Sequence, residues 1–280
     1  MAEHILGPLY YERMGRAGPP MVFVHPNPMD QSCWLFQMAH LSTWYRCIAI
    51  DLPGYGRSPR AESGLTLADM AQGCWEAVDE AIGNPWGKGG EPAVLVGCSV
   101  GSSIVQQMVH LRPAQSAALV LSGTGYNPPE ESPPAFVKAR IRDYSAEGVG
   151  FRWRYTFQDL SPAFGATPLA HYFAQIFTER NDLADAPSII HQFHALGAPR
   201  PADFFSGIGC PSVILTGTED AAHARAFDLK TKIPRCELRV LPGAGHACHM
   251  EQPWLFDRLM IEFLTAQALF PRLDSAKQAR

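Results

Sequence analysis

The 280-residue chain is 46% hydrophobic and 18% charged, enough apolar side chain for one large α/β domain or for a core with an insertion. A net charge of -4 and a pI near 6.2 exclude the basic surface that nucleic acid or an anionic membrane would require. No stretch approaches the ~18 apolar residues of a membrane span, and Met1–Gly7 lacks the basic start of a leader, so a cytoplasmic protein is expected.

Residues 4–13 read as a short antiparallel start, with β-formers at Leu9, Tyr10 and Tyr11. Met21–Val24 is a buried strand that runs into His25-Pro26-Asn27-Pro28-Met29-Asp30, a loop stiffened by two prolines. Cys47–Ile50 is the next strand and leads into Asp51–Ser58, a turn rich in Pro and Gly. Thr66 with Asp69 marks a helix start. Leu67, Met70, Cys74, Trp75, Val78 and Ile82 then share one helical face. A strand over 93–96 is followed by Gly97-Cys98-Ser99-Val100-Gly101 and a helix to about Leu111, and Ala117–Leu121 is another apolar strand. Continuous apolar strands alternating with helices predict a mostly parallel twisted sheet with helices on both faces.

That rhythm stops between Asn127 and Gly207, where helices are expected over 135–147, 149–160, 168–180 and 186–196 among many aromatic residues. The expected organisation is a core of 1–127 and 207–280 with an inserted helical cap over 128–206. Ser212–Leu215 and Glu237–Leu241 resume the sheet, Pro253 opens a last helix, and the tail after Pro271 is polar and expected to fray. The seven cysteines are odd in number and several lie in apolar runs, which suggests reduced thiols rather than a disulfide framework.

A serine in a G-x-S-x-G frame between a buried strand and a helix is a candidate nucleophile. The sharp turn exposes it, and glycines two residues away on each side relieve crowding. The Val100 N–H then points where an oxyanion would form, at a helix N-terminus that favours negative charge. The loop after 21–24 should supply a second donor. Asn27 has a backbone N–H there, while Pro26 and Pro28 have none, and the Asn27 side chain could add a third. Functional residues of a parallel sheet gather at the carboxyl ends of its strands. Those ends carry Thr218-Glu219-Asp220 and Gly245-His246. His246 would act as general base, and Asp220 would orient it. Asp220 is preferred to Glu219 because it stands farther out on its loop. A histidine base predicts activity that declines below roughly pH 6–7. Met29, Trp34, Tyr126, Trp153, Tyr155 and Phe173 are the pocket candidates. Arg152 and Arg154 could hold a substrate carboxylate, but ordinary solvated cap arginines are the favoured reading. His246 and His249, with Cys248 between them, are joined by no further metal ligand at recognisable spacing, so neither metal nor cofactor is expected. His191 and His194 share a helical face and read as cap surface or pocket wall.

These blocks together resemble the α/β-hydrolase superfamily, in particular its small cap-bearing esterase, lactonase and C–C hydrolase branch. The resemblance rests on Val22–His25, Asp51–Ser58, Gly97–Gly101, Gly217–Asp220 and Gly245-His246 in family order, with Glu251 and Pro253 after the histidine. It implies a Ser99, Asp220, His246 triad. Three departures matter. His25-Pro26 stands where the family usually has His-Gly. The loop is similar to the His-Gly-Asn-Pro of haloalkane dehalogenases, but Ser99 replaces the aspartate nucleophile of those enzymes and of epoxide hydrolases. Ala247 stands where ring-fission C–C hydrolases commonly carry an aromatic residue. The reading is a serine hydrolase acting on a carboxylic ester or lactone, a small-molecule substrate with apolar or aromatic groups. Alternatives are C–C or amide hydrolysis, acyl transfer or cofactor-free oxygen chemistry with the same triad, or a receptor-like binding module.

Overall fold

A computed structural model describes residues 7–83 and 91–271. Residues 4–6 of the expected first strand, and the tail beyond Pro271, lie outside them. In chain order the elements are β1 (Tyr11–Met14), β2 (Pro20–Val24), α1 (Leu35–Leu41), β3 (Arg46–Ile50), α2 (Leu67–Ile82), β4 (Ala93–Cys98), α3 (Val100–Leu111) and β5 (Ser116–Ser122). Then come five helices without an intervening strand: α4 (Ala135–Glu147), α5 (Arg152–Gln158), α6 (Pro162–Gly165), α7 (Pro168–Glu179) and α8 (Ala186–Gly197). The chain closes with β6 (Ser212–Gly217), α9 (His223–Lys232), β7 (Cys236–Leu241), α10 (Cys248–Glu251) and α11 (Pro253–Ala266).

Seven strands among the described residues form one sheet in the order β1-β3-β2-β4-β5-β6-β7. Only β1 runs antiparallel, against β3, and every other pairing is parallel. The strand alternation sorts side chains into two cores. Val22 and Val24 of β2, with Ile48 and Ile50 of β3, face α2 and α3. Met21 and Phe23, with Cys47 and Ala49, face α1 and α11. With both faces covered, the central strands have no wet side, which is why they read as unbroken apolar runs.

Local signals set the helix ends. Thr66 and Asp69 form a reciprocal capping box at the start of α2, and Gly83 closes it at φ 73°. Pro168 and Pro253 occupy the first turns of α7 and α11, where a missing N–H costs nothing. The helix expected over 149–160 is confined to 152–158, because Gly148 and Gly150 form a turn before it. Helices α1 and α9 went unread in the sequence. The first is only seven residues long, and the second is polar on most sides. All seven cysteines are free thiols, five of them buried. Among the described residues no helix is long and apolar enough to cross a membrane.

Candidate active site

Ser99 follows directly on β4 and precedes α3, with φ 55° and ψ -116°. A non-glycine residue at positive φ is strained, and the turn holds because its neighbours pin it. The Ser99 N–H donates to the Ser122 carbonyl at 3.0 Å. Beneath the turn, Ser102 Oγ lies 2.7 Å from the Gly97 carbonyl and 2.8 Å from that of Ser122, so one hydroxyl bridges the ends of β4 and β5. Ser102 is fully buried and was not singled out in the sequence. The G-x-S-x-G spacing gives it no signal, since one of its two partners, Ser122, comes from a second strand.

His246 lies on the loop after β7 and Asp220 on the loop after β6. Their Nδ1 and Oδ1 atoms are 2.9 Å apart. Donation from Nδ1 leaves Nε2 free for the cavity side of the ring. Asp220 Oδ1 also accepts from the Ala222 N–H at 2.8 Å. Burial alone would raise the Asp220 carboxyl, but the His246 charge and these two donors outweigh it and hold the pKa below the ordinary carboxylate value. Burial alone would lower His246. The Asp220 charge, its hydrogen bond and the nearby Asp159 charge reverse that and raise it to about 9. Desolvation is the largest single effect on this ring, and only the two carboxylate charges and the hydrogen bond together exceed it. Glu219 is exposed and lies off the imidazole.

Room for the ring is made by Gly123, at φ 55°. A Cβ there would stand 2.9 Å from His246 Cε1 and 3.0 Å from Nε2. Asp159 is a second buried carboxylate beside the histidine, 6% exposed, with Oδ2 lacking a hydrogen-bond partner. Burial, only partly offset by the His246 and Arg140 charges, raises it to about 6. Its backbone carbonyl accepts from the Ala247 N–H at 2.8 Å, which fastens the end of α5 to the histidine loop. Glu251 adds a second tie between the same segments: its carboxylate takes the Gly245 N–H at 2.9 Å, the Ser161 N–H at 3.0 Å and the Ser161 hydroxyl at 2.6 Å.

The Asn27 loop is locked from several sides. His25 is fully buried. The Leu52 N–H donates to its Nε2 at 2.9 Å, so Nδ1 carries the proton and faces the Pro26 carbonyl at 2.9 Å. Burial lowers this histidine to about 4, which keeps it neutral. The Asn27 side-chain amide donates to Tyr55 at 2.5 Å and Tyr144 at 2.7 Å. It is therefore spent on positioning the loop and is not a third oxyanion donor, contrary to the sequence expectation. Among the described residues, the backbone N–H groups of Asn27 and Val100 have no protein acceptor.

Ser99, His246, Asp220 and Asn27 open onto one cavity of about 600 Å³, walled elsewhere by α4, α8 and the loops around them. Tyr126 lines it, as expected. The other pocket candidates do not. Met29 and Trp34 are fully buried in the core, where Trp34 stacks on His249 at 4.2 Å. Trp153 is 47% exposed, because α5 turns Arg152, Tyr155 and Thr156 inward instead. Tyr155 is buried behind the Arg140 guanidinium, which lies 3.2 Å from its ring centroid. Phe173 belongs to the inward face of α7 and packs against Phe36 and Phe164. Nor do Arg152 and Arg154 reach the cavity. Arg152 is buried and donates to the Pro28 carbonyl, bracing the Asn27 loop, and Arg154 pairs with Glu147 at the surface. The arginines in the lining are Arg140, Arg200 and Arg225.

Residues 21–255 match the model of the alpha/beta hydrolase family. The chain belongs to that family. This family member is 26% identical over 271 residues to the dihydrolipoyllysine-residue acetyltransferase component of the acetoin cleaving system of Cupriavidus necator, covering 91% of this chain but only 66% of that one, just under two thirds of its length. It is 27% identical over 268 residues to a putative carbamate hydrolase, RutD, of Variovorax paradoxus, covering 92% of this chain and 96% of the relative. Among solved structures, a thermophilic esterase from Thermogutta terrifontis superposes with a TM-score of 0.77 at 24% identity, covering 92% of this chain and 93% of the other. At that identity the likeness speaks to the fold.

Proposed function

We propose that this alpha/beta hydrolase family member cleaves a carboxylic ester or lactone through an acyl-enzyme on Ser99. The observation that carries this reading is a serine held at φ 55° on the same cavity as an imidazole already bonded to a buried carboxylate. His246 Nε2 takes the Ser99 proton as Oγ adds to the carbonyl carbon. Asp220 keeps the proton on Nδ1 and stabilises the imidazolium. The negative carbonyl oxygen is met by the N–H groups of Val100 and Asn27. The C–O bond to the alcohol then breaks, and His246 returns the proton to that alcohol. Water repeats the sequence on the acyl-enzyme and releases the acid. In a lactone, the alcohol stays tethered to the acyl chain. Phe136, Phe193, Leu196 and Phe205 in the lining suit apolar parts of a small-molecule substrate. Labelling with a fluorophosphonate tests the reading: the adduct is expected on Ser99, and its absence, or full esterase activity in Ser99→Ala, would overturn it.

The charges around His246 also predict the pH profile. The neutral imidazole is the base, so kcat/KM falls as pH drops through its pKa. That pKa is raised from about 6.5 to about 9, so the acid limb should lie well above the pH 6–7 expected of an unperturbed histidine. Asp220, Asp159, Arg140 and His249 are the charged or titratable groups acting on this ring. Asp159 is ionised throughout that limb and helps hold the proton. Asp159→Asn should therefore move the limb to lower pH in a kcat/KM series with a neutral ester. A limb that stays in place would count against this coupling.

A further inference from the structure

Arg200 follows α8 in the segment Ala198-Pro199-Arg200-Pro201, and prolines on both sides restrict its backbone. Its guanidinium lies over the rings of Phe204 at 4.5 Å and Phe205 at 5.8 Å. Stacking of this kind orients the planar fork in advance of any ligand. Arg200 borders the cavity that holds Ser99, yet its Nη1 is shut off from solvent and has no hydrogen-bond partner. No carboxylate among the described residues pairs with it. The other two arginines of the lining are differently placed. Arg225 bonds Asn127 and Glu131, and Arg140 lies on the Tyr155 ring with its charge acting on Asp159. Burial lowers Arg200 to about 10, so it remains a cation at neutral pH.

A desolvated guanidinium N–H without an acceptor is costly, and a charged acceptor is what would relieve it. We propose that the substrate carries a carboxylate, seated on Arg200 while its ester or lactone carbonyl meets Ser99. This rests on the hydrolase reading above and adds the substrate class. One uncompensated cation calls for one negative charge. A dianionic phosphate would instead face Glu131, Asp159, Glu219 and Asp220 in the same lining. The planar fork also matches a carboxylate with two parallel N–H···O bonds.

The test uses matched esters that differ by a carboxylate on the acyl side (monomethyl hexanedioate against methyl hexanoate) or on the alcohol side (para-acetoxybenzoate against para-tolyl acetate). In the wild-type protein the anionic member of at least one pair should have the higher kcat/KM. Arg200→Gln should lower kcat/KM for that member by about 10–100-fold, the range for losing a charged hydrogen-bond partner. The neutral member should stay within about twofold, as expected for a folded enzyme with an unaltered Ser99 centre. Arg200→Lys should recover part of the loss. Preference for the neutral member in both pairs, or equal losses for both members in Arg200→Gln, would overturn the proposal. Free benzoate should compete with the neutral ester in the wild-type protein and not in Arg200→Gln. Non-competitive inhibition would place the anion in the adjoining cavity of about 430 Å³ that Arg200 also borders, and would equally overturn it. If neutral-ester hydrolysis survives in Ser99→Ala, the hydrolase reading fails. If it depends on Ser99 but shows no charge discrimination, only the carboxylate proposal fails.

Discussion

Ser99→Ala is expected to lower kcat/KM for a p-nitrophenyl ester by about 10⁴-fold or more, with the thermal midpoint almost unchanged. The side chain lost is one hydroxyl, and no hydrogen bond to another protein group depends on it among the described residues. What pins the turn is the Ser99 N–H bonded to the Ser122 carbonyl and the Ser102 hydroxyl beneath it. Removal of the nucleophile should also make further loss of the base nearly silent. In Ser99→Ala, adding His246→Ala should cost little more, because in the proposed mechanism both residues serve one proton transfer. Additive losses in the double variant would show that His246 acts on something other than Ser99. Initial rates for the single and double variants decide the matter. Residual turnover should reflect the Asn27 and Val100 N–H groups, which neither substitution removes.

The second large effect concerns Gly101, and it is structural. A Cβ at this position would lie 2.1 Å from the Val24 carbonyl oxygen, 2.6 Å from its carbon and 2.9 Å from the His25 carbonyl oxygen. None of these atoms can yield easily, because β2 is bonded to β3 on one side and to β4 on the other. Gly101→Ala should therefore cost about 3 kcal/mol or more and lower the thermal midpoint by roughly 6–12 °C. Activity should fall with it, since α3 carries the Val100 N–H and begins at Ser99. Gly209→Ala is the control, because a Cβ there meets nothing within 4 Å. It should leave the midpoint within about 2 °C. A Gly101→Ala protein as stable as the control would mean that the helix can slide away from β2.

Much of the candidate site is legible in local sequence. Ser99, Asp220 and His246 each follow a contiguous apolar run, and a parallel sheet buried on both faces must be made of such runs. The carboxyl ends of strands are therefore marked in the sequence, and the chemistry placed there is marked with them. Asn27 is legible as a candidate for a related reason, since prolines at 26 and 28 leave its N–H as the one backbone donor between His25 and Met29. The glycines at 97 and 101 were read as relieving the turn. Gly101 proves also to be the point where α3 rests on β2.

The helical insertion was legible only as helices. Its composition shows many aromatic residues, but not which of them face the substrate. Five of the six pocket candidates lie elsewhere, and only Tyr126 lines the cavity. The arginines show the same limit. Arg152 and Arg154 stood out as a pair in the sequence, yet the packing of α5 turns one onto the Pro28 carbonyl and the other toward solvent. Arg140 and Arg200 reach the cavity because α4 packs on α8 and because the proline-bound segment after α8 forms part of the lining. Asp159 sits in Phe157-Gln158-Asp159-Leu160, a run without periodic signal, and meets His246 through one backbone bond from Ala247.

The positions of the candidate residues at the strand ends are thus written into local sequence. Burial of a strand is a property of consecutive residues, and so is the loop that leaves it. The shape and charge of the substrate cavity were decided only by tertiary structure. They depend on which face of each inserted helix is turned inward, and contacts between residues far apart in the chain settle that. The raised pKa of His246 belongs to the same class, because Asp220 and Asp159 raise it and Arg140 opposes them, each from a separate part of the chain.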